Sequence, residues 1–467
     1  MNPSTGLPHA ADSGLSAFQW ETQPDAEAWL RFVVEGFLEQ APFAQSLAGR
    51  MERETATRFF DWIDHIRLPR ASVDLGMLSN LGFVQDSRVR TACYIHPGAI
   101  FPRVVFSSDD AIAVALKVDS VADFLQAQRV HASIEGAVFN PVRRARIENT
   151  GRAELWAMER RGWVGFDVAD AEEGRRMAAQ RHLDAFRTRR RRFENPHDGF
   201  VLAEALIGKA INEIGQDWTC ALFFETEREY WQRRCKAGAV QKIRQDRLGL
   251  GWANHDHHTY RSSRECFVPL IRVLEKLGFR CRERFRPGRE AGWGAQVIEQ
   301  PNTGVTIFAD VDMSPEELLG DFAHIPMPPR EQLGTVGLWC ALHGEAFLEA
   351  GMHHLECQFD FSRLTAQLAE EGVGMMMPFS SFPYLKQAFS EGDVWPVAER
   401  RIAALFESGK IGAEEAERFR REGALGAHLE NLERNEGFKG FNQTGINEII
   451  AGTDPRFGAR RGSGGHV

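Results

Sequence analysis

The sequence predicts an α+β protein built from tandem βαβββ modules of one recurring type, with an internal duplication and helical extensions. Two observations predict this class, and the composition and length agree with it. Short segments recur in the two halves of the chain, and the second half alternates single helices with groups of β-like segments. The composition is that of an ordinary folded protein, with 43% hydrophobic and 26% charged residues. The length of 467 residues is enough for several domains, each with its own core.

Composition also excludes several classes of protein. The chain has 56 basic and 65 acidic residues and a net charge of -9, which disfavours binding to nucleic acid or to an anionic membrane. No apolar run approaches the ~20 residues that cross a bilayer, and the first residues lack the basic start and apolar core of a secretory signal. The seven cysteines are scattered without a CxxC pair, as expected of reduced thiols. We therefore expect a cytoplasmic protein with no nucleic-acid or membrane partner, and the sequence leaves its oligomeric state open.

The recurring segments come in the same order in both halves. LSNLGF at 78–83 returns as LEKLGF at 274–279, and DHIRLPR at 64–70 returns as DHHTYR at 256–261. Three weaker pairs match 115–125 with 308–319, 155–161 with 395–401, and 199–214 with 437–450. We interpret the pattern as a tandem duplication in which the first copy is the shorter and lacks a helix. The predicted organisation is a helical extension at 1–58, a first and degenerate copy at 59–217, a helical linker at 218–250, a second copy at 251–455 and a flexible tail at 456–467.

The second copy shows the order of elements most clearly. Residues 253–261 alternate as a strand does. Ser262 or Ser263 then caps a helix that runs to Leu277, and Gly278 stands where a helix-ending glycine belongs. Three strands follow, separated by Gly- and Pro-containing turns, at 279–285, 294–300 and 304–311. Together these elements form one βαβββ unit.

A second unit follows in the same copy. It begins with a strand at 352–359 and a helix at 361–372, and we place its later strands near 374–381 and 393–400. We assign no function to two charged stretches. We interpret 226–250 as a solvated helix and the basic cluster 187–193 as the surface end of a helix.

Two histidines and one glutamate have the pattern of a metal site. His257 and His354 each lie at the start of a unit's first strand, and we place Glu399 on the last strand of the second unit. Two imidazoles and one carboxylate on facing strands hold a metal on one side and leave its other positions open. This donor set suits non-haem Fe(II) and less often Mn(II), whereas Zn(II) favours four-coordinate sites.

Several residues compete for these positions. His255 faces the same side of its strand as His257, because side chains alternate along a strand. His353 is the corresponding rival of His354, and Glu299 and Glu331 are rivals of Glu399.

The first copy retains part of the pattern. His65 matches His257 and Glu159 matches Glu399, but the second histidine has only His131 or His96 as a loose counterpart. We expect a degenerate copy kept for packing, and a second working site is the alternative.

The motifs around these residues resemble those of one enzyme family. They are HHTYR, in which Arg261 follows His257 by four residues, MHHLE around His354, MMMPFSSFPYL, VAERR around Glu399, and GFKGFNQTGINEII. In this combination the second copy is similar to the 2-oxoadipate dioxygenase/decarboxylase (hydroxyglutarate synthase) family of the vicinal oxygen chelate superfamily. Two features depart from the family's pattern: His354 is followed by Leu-Glu, and the spacing from His354 to Glu399 is short.

The resemblance implies an oxidoreductase that uses Fe(II) and O2 to convert a 2-oxo acid to a 2-hydroxy acid and CO2. It further implies that Arg261 pairs with a substrate carboxylate, and that Gln443 and Thr444 contact the substrate from a closing loop. The alternatives are a metal-dependent lyase or isomerase of the same superfamily without O2 chemistry, and a non-catalytic ligand-binding protein. The sequence leaves open which 2-oxo acid is bound.

Overall fold

The chain forms two mixed β-sheets, each made from two βαβββ units. A computed structural model describes residues 20–286, 291–442 and 453–457. The first sheet has the order β2-β3-β4-β1-β5-β8-β7-β6. Its strands are β1 (Ile63–Pro69), β2 (Val84–Gln85), β3 (Cys93–Ile95), β4 (Arg103–Ser107), β5 (Ile112–Lys117), β6 (Ile134–Glu135), β7 (Val142–Asn149) and β8 (Ala153–Arg160).

The second sheet repeats this plan in the order β10-β11-β12-β9-β13-β17-β15-β14, with β16 also paired to β17. Its strands are β9 (His255–Ser262), β10 (Arg280–Phe285), β11 (Trp293–Glu299), β12 (Thr306–Asp312), β13 (His354–Gln358), β14 (Ser380–Phe382), β15 (Leu385–Phe389), β16 (Asp393–Trp395) and β17 (Ala424–Arg434).

Helices extend and connect the two sheets. They are α1 (Pro24–Leu38), α2 (Pro42–Arg50), α3 (Leu75–Asn80), α4 (Val121–Gln128), α5 (Glu173–Thr188), α6 (Pro196–Ile214), α7 (Gln216–Gln232), α8 (Lys236–Arg247), α9 (Phe267–Lys276), α10 (Thr335–His343), α11 (Phe361–Glu370), α12 (Glu399–Glu407) and α13 (Ala413–Glu422). No helix in the described part of the chain is both long and apolar enough to span a bilayer.

Each sheet is joined at its centre by the first strands of its two units. β9 pairs with β13 in antiparallel register, and each of them pairs in parallel with the last strand of its own unit, β12 and β17. In the first sheet, β1 and β5 pair in antiparallel register, and they pair in parallel with β4 and β8, respectively. This strand order confirms the predicted fold class.

The first unit of the second sheet forms as its sequence predicts. Helix α9 buries a stripe at helical spacing, consisting of Phe267, Leu270, Ile271 and Leu274. Burial of each such side chain contributes about 1.5–3 kcal/mol, so the stripe fixes the helix on the sheet. The chain leaves the helix at Gly278, whose φ of 94° favours glycine.

The second unit departs from the prediction at its last strand. The segment 393–400 was expected to be a strand, but only β16 forms there, and Pro396 follows it without an N–H to continue the pairing. Helix α12 then begins at Glu399, because Ile402 and Leu405 recur at helical spacing and are buried. The last strand of the unit is β17, which no pattern in the sequence predicted.

The weaker repeat pairs are not equivalent in the structure. Residues 115–125 include β5, which corresponds to β13, whereas 308–319 include β12. Residues 155–161 lie on β8, which corresponds to β17 and not to the segment 395–401. The first copy also keeps its second helix, α4, so the predicted loss of that helix is wrong. Residues 443–450 of the third pair lie outside the described residues.

Both charged stretches are less solvated than expected. Helices α7 and α8 do cover most of 226–250, but they bury Glu227, Trp231 and Gln241. In the basic cluster, Arg189 is buried and Arg191 is partly buried, and both pair with Glu227. The charge pattern wrongly predicted surface positions. It does not show that these charges pair with charges on elements that are distant in the sequence.

Candidate metal centre

A cavity lies over the central strands of the second sheet. Four metal-ligand side chains point into it: His257 from β9, His354 and Glu356 from β13, and Glu430 from β17. The register explains their meeting, because Glu356 lies opposite both His257 and Glu430 in the sheet. Facing residues on paired strands are about 5 Å apart, so one face presents all four groups.

The donor atoms converge on a small volume. Oε1 of Glu356 lies 2.7 Å from Nε2 of His257 and 2.6 Å from Nε2 of His354. Oε2 of Glu430 lies 3.8 Å from Nε2 of His354. Donor atoms of His257, Glu356 and Glu430 all lie within 4.8 Å of one another. Since this nitrogen and oxygen set is buried and acidic, it fits a divalent transition metal.

Neighbouring side chains hold the donors in place. Nε2 of Gln387 donates to Oε1 of Glu430 at 2.7 Å, and Ser380 bonds to Gln387 in turn at 2.8 Å. Nδ1 of His354 lies 3.2 Å from Nε2 of His428. Contacts of this kind set the orientation and tautomer of a ligand, so Nε2 of His354 is directed at the cavity.

Two imidazoles of the site, those of the ligand His354 and its neighbour His428, are kept neutral. Burial, together with the nearby His428 and His257, lowers the pKa of His354 well below its usual value. Burial, with a further contribution from Arg261, lowers the pKa of His428 to about 3. A neutral imidazole keeps a lone pair for the metal at physiological pH.

Aromatic rings form much of the cavity wall. Phe308 and Phe441 lie 5.0 and 4.9 Å from the ring of His257, measured between ring centroids. Phe389 lies 5.0 Å from the ring of His354 and packs on Phe379. These rings limit the access of water to the donors.

The structure brings together two of the three predicted ligands. His257 and His354 meet in the cavity, but Glu399 does not join them. It is the first residue of α12, its side chain is 62% exposed, and its carboxylate pairs with Arg420 at 2.8 Å. Its assignment to a strand is therefore wrong.

The two carboxylates that do meet the histidines were missed from the sequence. Glu356 is two residues beyond His354, so strand alternation alone directs it to the same face. On β17 the same spacing separates His428 from Glu430. The repeated His-x-Glu pattern within an apolar strand was the available signal.

The other candidates lie as follows. His353 reaches the cavity wall, but its Nδ1 is 2.9 Å from the carbonyl oxygen of Gly426. Glu299 pairs with Arg282 and Lys439, and Glu331 is exposed in a loop. His255 lies on β9, but its side chain is outside the described part of the structure, as are Gln443 and Thr444.

The first sheet keeps one donor of the four. His65 lies on β1 where β9 has His257, and Ala115 is opposite it where the second sheet has Glu356. By the same registers, Ala113 occupies the position equivalent to that of His354, and Trp156 occupies the position equivalent to that of Glu430. Alanine and tryptophan side chains supply no metal ligand, so the first sheet lacks three of the four donors at these positions.

Side chains fill the corresponding cleft of the first sheet. The ring of Phe166, which is 2% exposed, lies 4.6 Å from the ring of His65. Arg103 and Arg160 both pair with the buried Asp64 beside it. Packing and ion pairs thus replace the cavity of the second sheet.

The remaining first-copy candidates have structural partners or lie at the surface. Glu159 is buried and pairs with Arg143 at 3.1 Å and with Arg161. His96 packs between aromatic rings, and His131 is exposed.

Comparison with known proteins gives only distant likenesses. No protein-family model matches the chain, and no curated protein sequence matches it. A solved structure of a putative hydrolase from Shewanella frigidimarina has 14% identity and a TM-score of 0.31, covering 46% of this chain and 94% of its own. A variant of 4-hydroxymandelate synthase from Streptomyces coelicolor has 11% identity and a TM-score of 0.27, covering 73% and 98%. Methylmalonyl-CoA epimerase from Mycobacterium tuberculosis has 11% identity and a TM-score of 0.23, covering 39% and 89%.

We draw no conclusion about function from likenesses this weak. The strand order itself defines the class of fold: paired βαβββ modules of the vicinal oxygen chelate type, present twice. The second pair carries the cluster of histidines and glutamates.

Proposed function

We propose that the chain is a non-haem Fe(II)-dependent dioxygenase/decarboxylase that converts a 2-oxo acid to a 2-hydroxy acid and CO2. The observation that supports it most is the convergence of His257, His354 and Glu430, one from each of three central strands, in a buried cavity. Two imidazoles and a carboxylate leave the remaining positions of Fe(II) open for substrate and O2.

We assign the third ligand to Glu430 rather than to Glu356. The distance of 3.8 Å from its carboxylate to Nε2 of His354 leaves room for an ion with bonds of about 2.0–2.2 Å to each. Oε1 of Glu356 instead lies 2.7 and 2.6 Å from Nε2 of His257 and His354, closer than the roughly 3 Å between neighbouring ligands of one ion with bonds of about 2.1 Å, and it accepts a hydrogen bond from Oγ1 of Thr259 at 3.0 Å. In this proposal Glu356 lies beside the metal as a proton acceptor.

Fe(II), when bound, would supply Lewis acidity and would pass electrons from the substrate to O2. The chain's own residues orient the substrate and protect the reaction. Arg261, four residues beyond His257 on the same face of β9, offers a planar pair of N–H donors to a substrate carboxylate. The aromatic wall excludes water, which strengthens each electrostatic contact inside. Overall, one O2 is consumed: one of its oxygen atoms enters the new carboxylate of the 2-hydroxy acid and the other its hydroxyl group, while CO2 leaves with the oxygens of the original carboxylate.

Oxygen consumption tests this function directly. Protein reconstituted with Fe(II) without air is expected to consume O2 when a 2-oxo acid is added, and to release one CO2 for each O2 consumed. Consumption of O2 without CO2 release, or no consumption with any member of a panel of 2-oxo acids, would contradict the proposal.

The second carboxylate favours one alternative function. A lyase or isomerase of the same fold needs a base beside the metal to remove a proton next to a carbonyl, and Glu356 is placed for that task. The two functions differ in their use of O2. Turnover without O2, in protein that contains Zn(II) or Ni(II), would support the alternative.

Replacing Arg261 with lysine is expected to weaken substrate binding by ~1–3 kcal/mol while the metal is retained, because lysine keeps the charge but loses the planar pair of donors. Metal content and substrate affinity, measured on the same preparation, check this. Arg264→Lys is the matched control, since Arg264 pairs with Glu317 and is not part of the cavity wall. Equal affinity in Arg261→Ala and the unmodified protein would show that Arg261 has no role in binding.

Replacing His428 with alanine is expected to lower metal affinity roughly 10- to 100-fold, because His354 loses the partner of its Nδ1. Competition with a chelator measures the affinity. His343→Ala is the control, since this buried histidine bonds to the carbonyl oxygen of Leu425 instead. Equal loss of affinity in both variants would indicate general destabilisation.

A further inference from the structure

A buried arginine and a buried aspartate lie side by side at one end of the cavity. Arg261 on β9 and Asp310 on β12 lie opposite each other in the parallel pairing of these strands. Both line the cavity, and they are only 4% and 5% exposed. Neither carries a donor to the metal in the function proposed above.

Several polar atoms of these two side chains make no hydrogen bond within the described part of the chain. Nη2 of Arg261 donates to Oγ1 of Thr453 at 3.2 Å. Its Nε and Nη1, and Oδ1 of Asp310, have no hydrogen-bond partner among the residues that the structure describes. Buried polar atoms are nearly always paired in folded proteins, so this end of the cavity fits a polar group of the ligand.

The chemistry of the pair selects that group. A guanidinium with two available N–H donors matches the two oxygens of a carboxylate. An ionised Asp310 would repel a substrate carboxylate bound to Arg261, whereas a protonated Asp310 would donate its O–H to that carboxylate. Burial raises the pKa of Asp310 to about 8, even though the charge of Arg261 opposes this rise, so the proton is present at neutral pH.

We infer that Asp310, in its protonated form, acts with Arg261 to bind the substrate carboxylate that lies away from the metal. The inference rests on the proposed function and adds a specificity residue to it. Along β9, Arg261 is four residues from His257, roughly 13 Å between Cα atoms at the rise of a strand. We assign to this pair a second carboxylate, at the other end of a dicarboxylic 2-oxo acid, because a metal-bound 2-oxo acid group already engages the first.

The test compares two ligands that differ in this second carboxylate. Binding of 2-oxoadipate and 2-oxohexanoate to the Fe(II)-loaded chain is measured by calorimetry without air. The unmodified protein is expected to bind 2-oxoadipate at least about tenfold more tightly, the scale of a charge-assisted hydrogen bond. Asp310→Ala is expected to lose most of this preference without changing the affinity for 2-oxohexanoate.

A second variant separates a donor from a counter-ion. Asp310→Asn has no charge but keeps an N–H donor, so the preference for 2-oxoadipate is expected to survive within roughly threefold. If Asp310 is instead an ionised counter-ion of Arg261, the same variant binds 2-oxoadipate more tightly, and the inference is overturned. Circular dichroism verifies that each variant is folded, and Asp321→Asn, at an exposed carboxylate that pairs with His324, is the control.

The outcomes also separate this inference from the proposed function. Equal affinity of the unmodified protein for the two acids overturns the inference alone, since a 2-oxo acid still binds. An unchanged preference in Asp310→Ala also overturns it. If neither acid binds the Fe(II)-loaded protein, the proposed function and the inference are both overturned.

Discussion

Replacing Glu430 with alanine is expected to remove most of the bound metal, whereas Glu399→Ala is expected to leave it unchanged. Glu430 faces His354 across 3.8 Å inside the cavity, and Glu399 pairs with Arg420 at the surface. Loss of one ligand from three leaves two donors, which compete poorly with chelators. Metal analysis after dialysis against a chelator measures the difference.

The same experiment separates the two buried carboxylates. Glu356→Gln keeps the shape of the side chain and is expected to retain the metal, because we assign Glu356 a place beside the ion. His257→Ala is the positive control and is expected to lose the metal. Metal retention in Glu430→Ala combined with its loss in Glu356→Gln would move the third ligand to Glu356.

Replacing Glu227 with glutamine is expected to lower the free energy of unfolding by about 3–5 kcal/mol, the usual cost of breaking a buried ion pair. Glu227 is fully buried and pairs with Arg189 and with Arg191, the latter at 2.7 Å. It also accepts a hydrogen bond from the hydroxyl of Tyr260, on the strand that carries His257. Denaturation by urea measures the change.

Glu225→Gln is the matched control, since this neighbouring glutamate is half-buried and lies 3.6 Å from Arg161. Its effect is expected to be below about 1 kcal/mol. A similar loss of unfolding free energy in both variants would show that the ion pairs of Glu227 contribute no more to stability than the contact of Glu225 with Arg161.

The same ion pairs predict how stability changes with pH. Burial raises the pKa of Glu227, but the charges of Arg191 and Arg189 outweigh it and hold that pKa below 4.5. A pKa lower in the folded than in the unfolded state gives stability that is present above pH 4.5 and is lost as the pH falls below it. Glu227→Gln is therefore expected to weaken the acid dependence of unfolding.

Local patterns were enough to predict much of the second copy. Alternation along 253–261, the apolar stripe of α9 and Gly278 each depend on interactions between near neighbours in the sequence. The structure agrees with all three. The first strand and helix of the next unit, β13 and α11, also lie where they were predicted.

The last strand of the second unit could not be placed in the same way. Helices α12 and α13 are inserted between β16 and β17, and β17 joins the sheet only through pairing with distant strands. Without that pairing, the motif VAERR was as plausible a strand as ALGAHLENLER. The ligand was therefore sought on Glu399, about thirty residues before Glu430.

The duplication was identified correctly but aligned only in part. The pairs around His65 and His257, and around the two LGF segments, fall on equivalent elements. The other pairs rest on short similarities that insertions had moved out of register. Sheet register, which sequence does not show, places Ala113, Ala115 and Trp156 where the second sheet has ligands.

The most direct test of the account is the metal content of protein purified without added metal. One equivalent of iron per chain is expected, lost in His257→Ala and retained in His65→Ala, because only the second sheet has the full set of donors. Two equivalents per chain, or loss of the single iron in His65→Ala, would contradict the account and place a working site in the first sheet.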